Sequence, residues 1–164
     1  MSGYVGRFAP SPTGALHFGS LVAAVASWLD ARAAGGRWLV RIEDVDAPRT
    51  VPGAAARILL QLEAAGLHWD GAVASQGART ALYDAALARL RDAGRAYRCR
   101  CSRREVADAG VAGPEGPIYP GTCRELGLAP AEAGSVRLRV EPGSVAFEDR
   151  VQCPIEQDVA REVG

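Results

Sequence analysis

The spacing of apolar residues divides the first half of the chain into alternating strands and helices. Short apolar runs at Tyr4–Ala9 and Trp38–Ile42 predict two strands, and the second run is dense enough to be buried on both faces. Between them, apolar residues at helical spacing predict a buried amphipathic helix over residues 19–34 that ends at Gly35 and Gly36. The residues that set this spacing are Leu21, Val25, Trp28 and Leu29.

Two further helices are predicted after the second strand. Pro52 fits the first turn of a helix that ends at Gly66, and a second helix covers residues 78–93 and ends at Gly94. The order strand, helix, strand, helix predicts a right-handed βαβ unit. The fold class is therefore α/β with a parallel sheet.

The pattern changes after Ala96. A strand is predicted at Tyr97–Cys101, and residues 108–122 are rich in Gly and Pro, which predicts a loop. Apolar residues alternate with arginines over 136–140, and a Pro-Gly turn then leads into 145–147. This alternation predicts a β-hairpin with one solvated face.

Composition and charge limit the class of protein. The chain has 164 residues, of which 48% are hydrophobic and 23% charged, as in one soluble globular domain. A formal net charge of zero excludes a strongly basic domain, although it leaves local basic patches open. No signal peptide is visible and the longest apolar helix is too short for a membrane, so we expect a cytoplasmic protein with no membrane partner.

Four cysteines suggest a reduced compartment and a metal site. Cys99, Cys101 and Cys123 lie close in sequence, and structural zinc takes four ligands, preferably thiolate or imidazole. No histidine follows His68, so the fourth ligand would be water, a carboxylate, a phenolate or Cys153. Buried free cysteines without a metal are the alternative.

The segment from Arg7 to Ser20 predicts the end of a strand, a turn stiffened by two prolines, and a helix that begins near Gly19. Arg7 at the carboxyl end of a strand suits a carboxylate ligand, because guanidinium binds carboxylate through two parallel hydrogen bonds. The free N–H groups of the helix start favour phosphate, and His17 is placed to donate to it. The alternative is a structural turn with a surface arginine and a solvated histidine.

Glu43 follows the second strand and belongs to the same sheet edge as Arg7. The pair could hold the ammonium and a carboxylate of one amino acid. The alternative is an ordinary acidic loop.

The strings RFAPSPTG, HFGS and RIEDVD, in this order, resemble the catalytic domain of the class I glutamyl-tRNA synthetases. The resemblance implies a Rossmann-like parallel sheet and, as substrates, L-glutamate and ATP accompanied by Mg²⁺. The implied glutamate-binding residues are Arg7, Phe8, Ala9, Pro10, Ser11 and Glu43. The implied ATP-binding residues are Pro10, His17, Gly19 and Ser20, with His17 as the catalytic group. Ser20 stands where the fuller motif has a second histidine.

The strings CRCSR and YPGTC resemble a shortened branch of that family, the glutamyl-queuosine tRNA(Asp) synthetases. This resemblance implies Zn²⁺ held by Cys99, Cys101, Tyr119 and Cys123, and it leaves Cys153 as a packed thiol. The implied reaction activates glutamate as glutamyl-adenylate and transfers it to queuosine at the wobble position of tRNA(Asp), by a monomeric ligase.

The resemblance also implies a domain organisation. Residues 1–96 would be the first half of an incomplete catalytic domain, 97–126 a zinc-binding insertion, and 127–164 a β-hairpin and the return to the catalytic domain. Class I enzymes use a lysine in a "KMSKS" loop, and all 19 basic residues here are arginine. We therefore expect the 164-residue chain to perform adenylation poorly.

Two other functions stay open. The chain could be part of an enzyme that charges tRNA(Glu), or a non-catalytic module that binds zinc or tRNA. The arginines around the first two cysteines fit contacts with tRNA phosphates or an ordinary solvated face. These are Arg95, Arg98, Arg100, Arg103 and Arg104.

Overall fold

Three parallel strands form a sheet in the first part of the chain. The strands are β1 (Val5–Phe8), β2 (Arg37–Ile42) and β3 (Ala74–Ser75), paired in the order β1-β2-β3. Helix α1 (Phe18–Ala33) connects the first two strands, and α2 (Ala54–Ala64) precedes the third. The predicted parallel α/β arrangement is therefore confirmed.

The computed structural model describes residues 3–114 and 116–164. Two compact units divide the chain, Met1–Tyr83 and Asp84–Gly164. Within the described residues, no helix combines the length and apolar character needed to cross a bilayer.

The core of the first unit is centred on Trp38 of β2. Its ring is fully buried and stacks on Phe8, with 6.1 Å between ring centroids and 12° between planes. Its indole Nε1 donates to Ser27 Oγ of α1 at 3.0 Å. A Cβ added at Gly6 would lie 3.1 Å from the Cβ of Ala31, so α1 packs very closely on β1. Gly6 is what permits this short distance.

Helix α1 buries a different face from the one predicted. Ala24 and Ala31 are fully buried, and Trp28 is half-buried, whereas Val25 and Leu29 are exposed. The prediction of burial was wrong for these last two residues because small side chains, rather than large ones, form the close contact with the sheet. The exposed face carries a continuous apolar stripe: Phe18, Val22, Val25 and Leu29.

The second unit is built from short strands around β4 (Ala96–Cys99), which pairs antiparallel with β7 (Ser135–Leu138). A second antiparallel pair joins β8 (Val145–Asp149) to β9 (Cys153–Gln157). The remaining elements are α3 (Thr80–Asp92), which begins in the first unit, α4 (Arg103–Ala109), β5 (Ala112–Gly113), β6 (Gly116–Pro117) and α5 (Val159–Glu162).

A hairpin is present, but with strands other than those predicted. The alternating segment forms β7 and pairs with β4, while β8 turns back through Asp149 to pair with β9. The Asp149 carboxylate accepts from the backbone N–H groups of Val151 and Gln152, at 2.8 and 2.7 Å, and this stabilises the turn. Alternation indicates a strand and its faces, but it does not identify the partner strand.

Candidate functional site

A cleft of about 410 Å³ opens where β1 ends and α1 begins. The carboxyl edge of a parallel sheet is the usual ligand-binding edge in open α/β folds. Every predicted ATP-binding residue lines this cleft, together with four of the predicted glutamate-binding residues. They are Phe8, Ala9, Pro10, Ser11, His17, Gly19 and Ser20.

The turn between β1 and α1 is held in place by α2 and the segment before it. Pro12 is fully buried, and its carbonyl oxygen accepts from the backbone N–H of Val51 at 2.9 Å. The backbone N–H of Leu16 donates to Gln61 Oε1 at 2.9 Å. Sequence reasoning missed Gln61, because nothing in a helical glutamine indicates a loop 45 residues away.

His17 caps the amino end of α1. Its Nδ1 accepts from the Ser20 N–H at 3.3 Å, and its Nε2 lies 3.0 Å from Ser20 Oγ. A Cβ at Gly19 would lie 3.1 Å from His17 Cε1, so the glycine leaves room for the imidazole. The ring is exposed to solvent beside the free N–H groups of the first helical turn.

Arg7 lies apart from the residues that line the cleft. Along β1, Gly6 and Phe8 are buried and Arg7 is exposed, because successive side chains of a strand point to opposite faces. Among the described residues, Arg7 does not line the cleft.

Glu43 lies beside the turn between β1 and α1, at the sheet edge where the sequence predicted it. Its backbone N–H donates to the carbonyl oxygen of Pro10 at 3.0 Å. Its carboxylate Oε1 accepts from Arg41 Nη2 at 2.5 Å, with the Glu43 side chain about one-third exposed. The carboxylate is therefore ion-paired rather than unpartnered.

Asp44, which sequence reasoning did not single out, ties β2 to β3. Its carboxylate accepts from Ser75 Oγ at 2.6 Å and from the Gly77 N–H at 2.8 Å. The Ser75 hydrogen bond and, next, the Gly77 hydrogen bond lower the pKa of this carboxyl. The signal in the sequence is a second acid directly after Glu43 at the strand end.

A second group of chemically reactive side chains lies in the second unit. Cys99, Cys101 and Cys123 place their Sγ atoms within 4.8 Å of one another. The sulfurs of Cys101 and Cys123 are 3.5 Å apart. Cys153 is exposed on β9, so the expectation of a packed thiol was wrong.

Tyr119 completes this group. Its ring is 3% exposed, and its Oη lies 3.3 Å from Cys99 Sγ and accepts from the Cys123 N–H at 2.8 Å. Its own backbone N–H donates to Val163 O at 2.9 Å, which anchors the loop. The structure thus brings together all four side chains that the resemblance implied as ligands.

The ionisation of the cluster is uneven. Burial raises the pKa of the Cys99 thiol, but hydrogen bonds from Tyr119 and Arg137 outweigh it and lower that pKa to about 7. The hydrogen bond with Cys123, followed by burial, raises the pKa of Cys101. Burial, followed by the Cys99 hydrogen bond, raises the pKa of Tyr119. A cation is what would allow all of these groups to ionise together.

The five arginines near the first cysteines have different roles. Arg98 donates to Pro130 O at 2.9 Å and to Gly134 O at 3.0 Å, so it holds a loop. Arg104 lies 3.6 Å from Asp108 in an exposed pair of little energetic value. The others are exposed: Arg95, Arg100 and Arg103.

Comparison with known proteins finds similar relatives that share one name. The chain is 57% identical over 162 residues to a glutamyl-Q tRNA(Asp) synthetase from Aromatoleum aromaticum, covering 98% of this chain and 51% of the relative. It is 56% identical to a protein of the same name from Pseudomonas aeruginosa strain LESB58, covering 99% and 53%. The chain spans about half the length of the curated relatives it matches.

The fold matches solved structures of larger proteins. A glutamate-tRNA synthetase from Elizabethkingia anophelis superposes with a TM-score of 0.75 at 24% identity, over 96% of this chain and 37% of that one. The family model of class I tRNA synthetases (E and Q), catalytic domain, matches residues 4–161. The chain therefore belongs to the class I tRNA synthetases of the E and Q type, as part of their catalytic domain.

Proposed function

We propose that this chain binds L-glutamate and ATP in the cleft beside His17, as part of an enzyme that transfers glutamate to queuosine of tRNA(Asp). The observation that carries the proposal is that every residue implied in ATP binding lines one cleft at the carboxyl edge of the sheet. The name shared by the relatives at 56–57% identity supports the acceptor.

The reaction has two steps. A carboxylate oxygen of glutamate attacks the α-phosphorus of ATP, pyrophosphate leaves, and glutamyl-adenylate forms. A hydroxyl of queuosine then attacks the activated carbonyl carbon, AMP leaves, and an ester forms. Catalysis is mainly positional and electrostatic, because the charge to be stabilised lies on phosphate oxygens. His17 and the N–H groups of the α1 start supply that stabilisation, and Mg²⁺ accompanies the nucleotide.

Glutamate has two carboxylates, so one can be held while the other reacts. In this proposal Arg7, which is exposed on β1, pairs with the ligand carboxylate that does not react. Glu43 would bind the ammonium group, which then takes the place of Arg41 as the partner of its carboxylate. Phe8, Ala9, Pro10 and Ser11 supply the wall of the amino-acid site.

The four side chains Cys99, Cys101, Tyr119 and Cys123 fit Zn²⁺. With Zn–S bonds of about 2.3 Å, a tetrahedral site separates sulfurs by roughly 3.8 Å. The three sulfurs here lie within 4.8 Å of one another, and the phenol oxygen lies 3.3 Å from one of them. Zinc in such a closed site is structural, and the four residues tie the end of β4 to the 119–123 loop.

Binding of a non-hydrolysable glutamyl-adenylate analogue to the chain, measured by calorimetry, tests the amino-acid and nucleotide sites. We expect the glutamyl analogue to bind at least tenfold more tightly than the glutaminyl one, because only glutamate offers a second carboxylate to Arg7. His17→Ala should weaken both analogues alike. Tighter binding of the glutaminyl analogue would contradict the proposal.

A further inference from the structure

The guanidinium of Arg137 lies over the Tyr119 ring. The distance from Arg137 Cζ to the ring centroid is 3.7 Å, the shortest of the recorded arginine–aromatic contacts. Arg137 lies on β7 directly opposite Tyr97 of β4, and Cys99 is two residues further along β4. The arginine therefore belongs to the same face of the strand pair as Cys99.

Arg137 has partners of an unusual kind. No carboxylate among the described residues forms an ion pair with it, and its Nε is buried without a hydrogen-bond partner. Its guanidinium lies over the face of Tyr119, and its side chain shares a face of the strand pair with Cys99. Arg137 is partly buried, and a guanidinium in such a place is normally matched by an acid, whereas here it lies over a phenol ring.

The proposed zinc site would account for a cation at this place. Three thiolates and a phenolate around Zn²⁺ leave an excess of negative charge in a largely buried place, which favours a fixed cation nearby. The stacked guanidinium also limits rotation of the Tyr119 ring, and groups that contact ligands in this way orient them toward the metal.

We propose that Arg137 is a positioning residue of this metal site: it holds the Tyr119 oxygen toward Cys99 and supplies the cation that balances the ligands. This inference rests on the proposed zinc ligation. It concerns a residue outside the four implied ligands.

The test compares the 164-residue chain with three variants. Arg137→Met keeps an unbranched side chain and removes the charged guanidinium, and Arg137→Lys restores the charge without the planar group. Arg95→Met is the matched control, because Arg95 is an exposed arginine directly before β4 and is not an implied ligand. Zinc affinity is measured by competition with a chelator, and tyrosinate absorbance in the near-ultraviolet is recorded as zinc is added.

We expect Arg137→Met to bind zinc about tenfold more weakly and to lose most of the tyrosinate signal. Arg137→Lys should recover part of the affinity, and Arg95→Met should match the unmodified chain. If the unmodified chain binds zinc and gives a tyrosinate signal, and Arg137→Met has the same zinc affinity and the same signal, the role of Arg137 is overturned. The proposed ligand set would then still stand. A wild-type chain that binds no zinc, or gives no tyrosinate signal, overturns the ligand set and this role with it.

Discussion

The backbone N–H of Glu43 donates to the carbonyl oxygen of Pro10 at 3.0 Å, so the end of β2 is fixed beside the turn that follows β1. This bond uses only the backbone of Glu43, so the carboxylate takes no part in it. At present the carboxylate is paired with Arg41. In the proposed amino-acid site, the Glu43 carboxylate would exchange Arg41 for the ammonium group of the ligand.

Glu43→Gln should weaken glutamate binding by about tenfold, because the ammonium group loses a charged acceptor. The thermal stability of the variant should stay close to that of the unmodified chain, since the backbone bond to Pro10 is retained. Calorimetric titration with glutamate measures the effect. Glu63→Gln, an exposed change on α2, is the control, and equal affinities for all three proteins would remove Glu43 from the site.

Gly19→Ala should weaken ATP binding without unfolding the protein. The added Cβ would lie 3.1 Å from His17 Cε1, so the imidazole must shift by a few tenths of an ångström. We expect a loss of about threefold to tenfold in affinity for a non-hydrolysable ATP analogue, because small displacements are costly at a phosphate site. Gly3→Ala has open space around its Cβ and should bind normally. Normal binding by Gly19→Ala would show that the position of His17 does not matter for ATP.

Ser75→Ala should raise the pKa of the Asp44 carboxyl toward its ordinary value of 3.8, since the Ser75 hydrogen bond is the largest cause of the lowered value. A carboxyl with a lowered pKa in the folded state adds stability that is complete above the ordinary pKa and is lost as the pH falls through the folded value. The variant should therefore lose stability at neutral pH, and its disadvantage should shrink in acid. NMR titration of the carboxyl carbon measures the pKa directly. Thr80→Ala removes a hydroxyl bonded to Gly77 O instead, and it should leave the pKa unchanged.

Sequence reasoning located the cleft because its residues are nearly contiguous. Two prolines, a glycine and a helix start between Arg7 and Ser20 define a turn by local geometry alone. The partner strand of β7 could not be predicted in the same way. The alternation of apolar residues and arginines along β7 is equally compatible with pairing to β8 and with pairing to β4.

Contacts between distant parts of the sequence were the features that were missed. Gln61 binds the loop at Leu16, and Arg137 stacks on Tyr119, in each case across many residues. In α1 the apolar spacing identified the helix, but two faces carry apolar residues. The close approach at Gly6 determined that the alanine face would be buried.

Tyr119→Phe should reduce zinc affinity by at least tenfold, because the ring remains and only the oxygen ligand is lost. Metal analysis after dialysis against a weak chelator gives the stoichiometry. Tyr97→Phe removes a hydroxyl from a neighbouring ring and should retain zinc. Native zinc affinity in Tyr119→Phe would assign the fourth ligand to another group.

The most direct test of the proposed function is transfer of labelled glutamate to purified tRNA. A chimera in which residues 1–164 replace the matching half of the Aromatoleum aromaticum relative supplies the remaining length. We expect it to label tRNA(Asp) that contains queuosine, and to label neither queuosine-free tRNA(Asp) nor tRNA(Glu). The 164-residue chain alone, which has no lysine, should label little. Labelling of tRNA(Glu) by the chimera, with none of queuosine-containing tRNA(Asp), would contradict the proposed function.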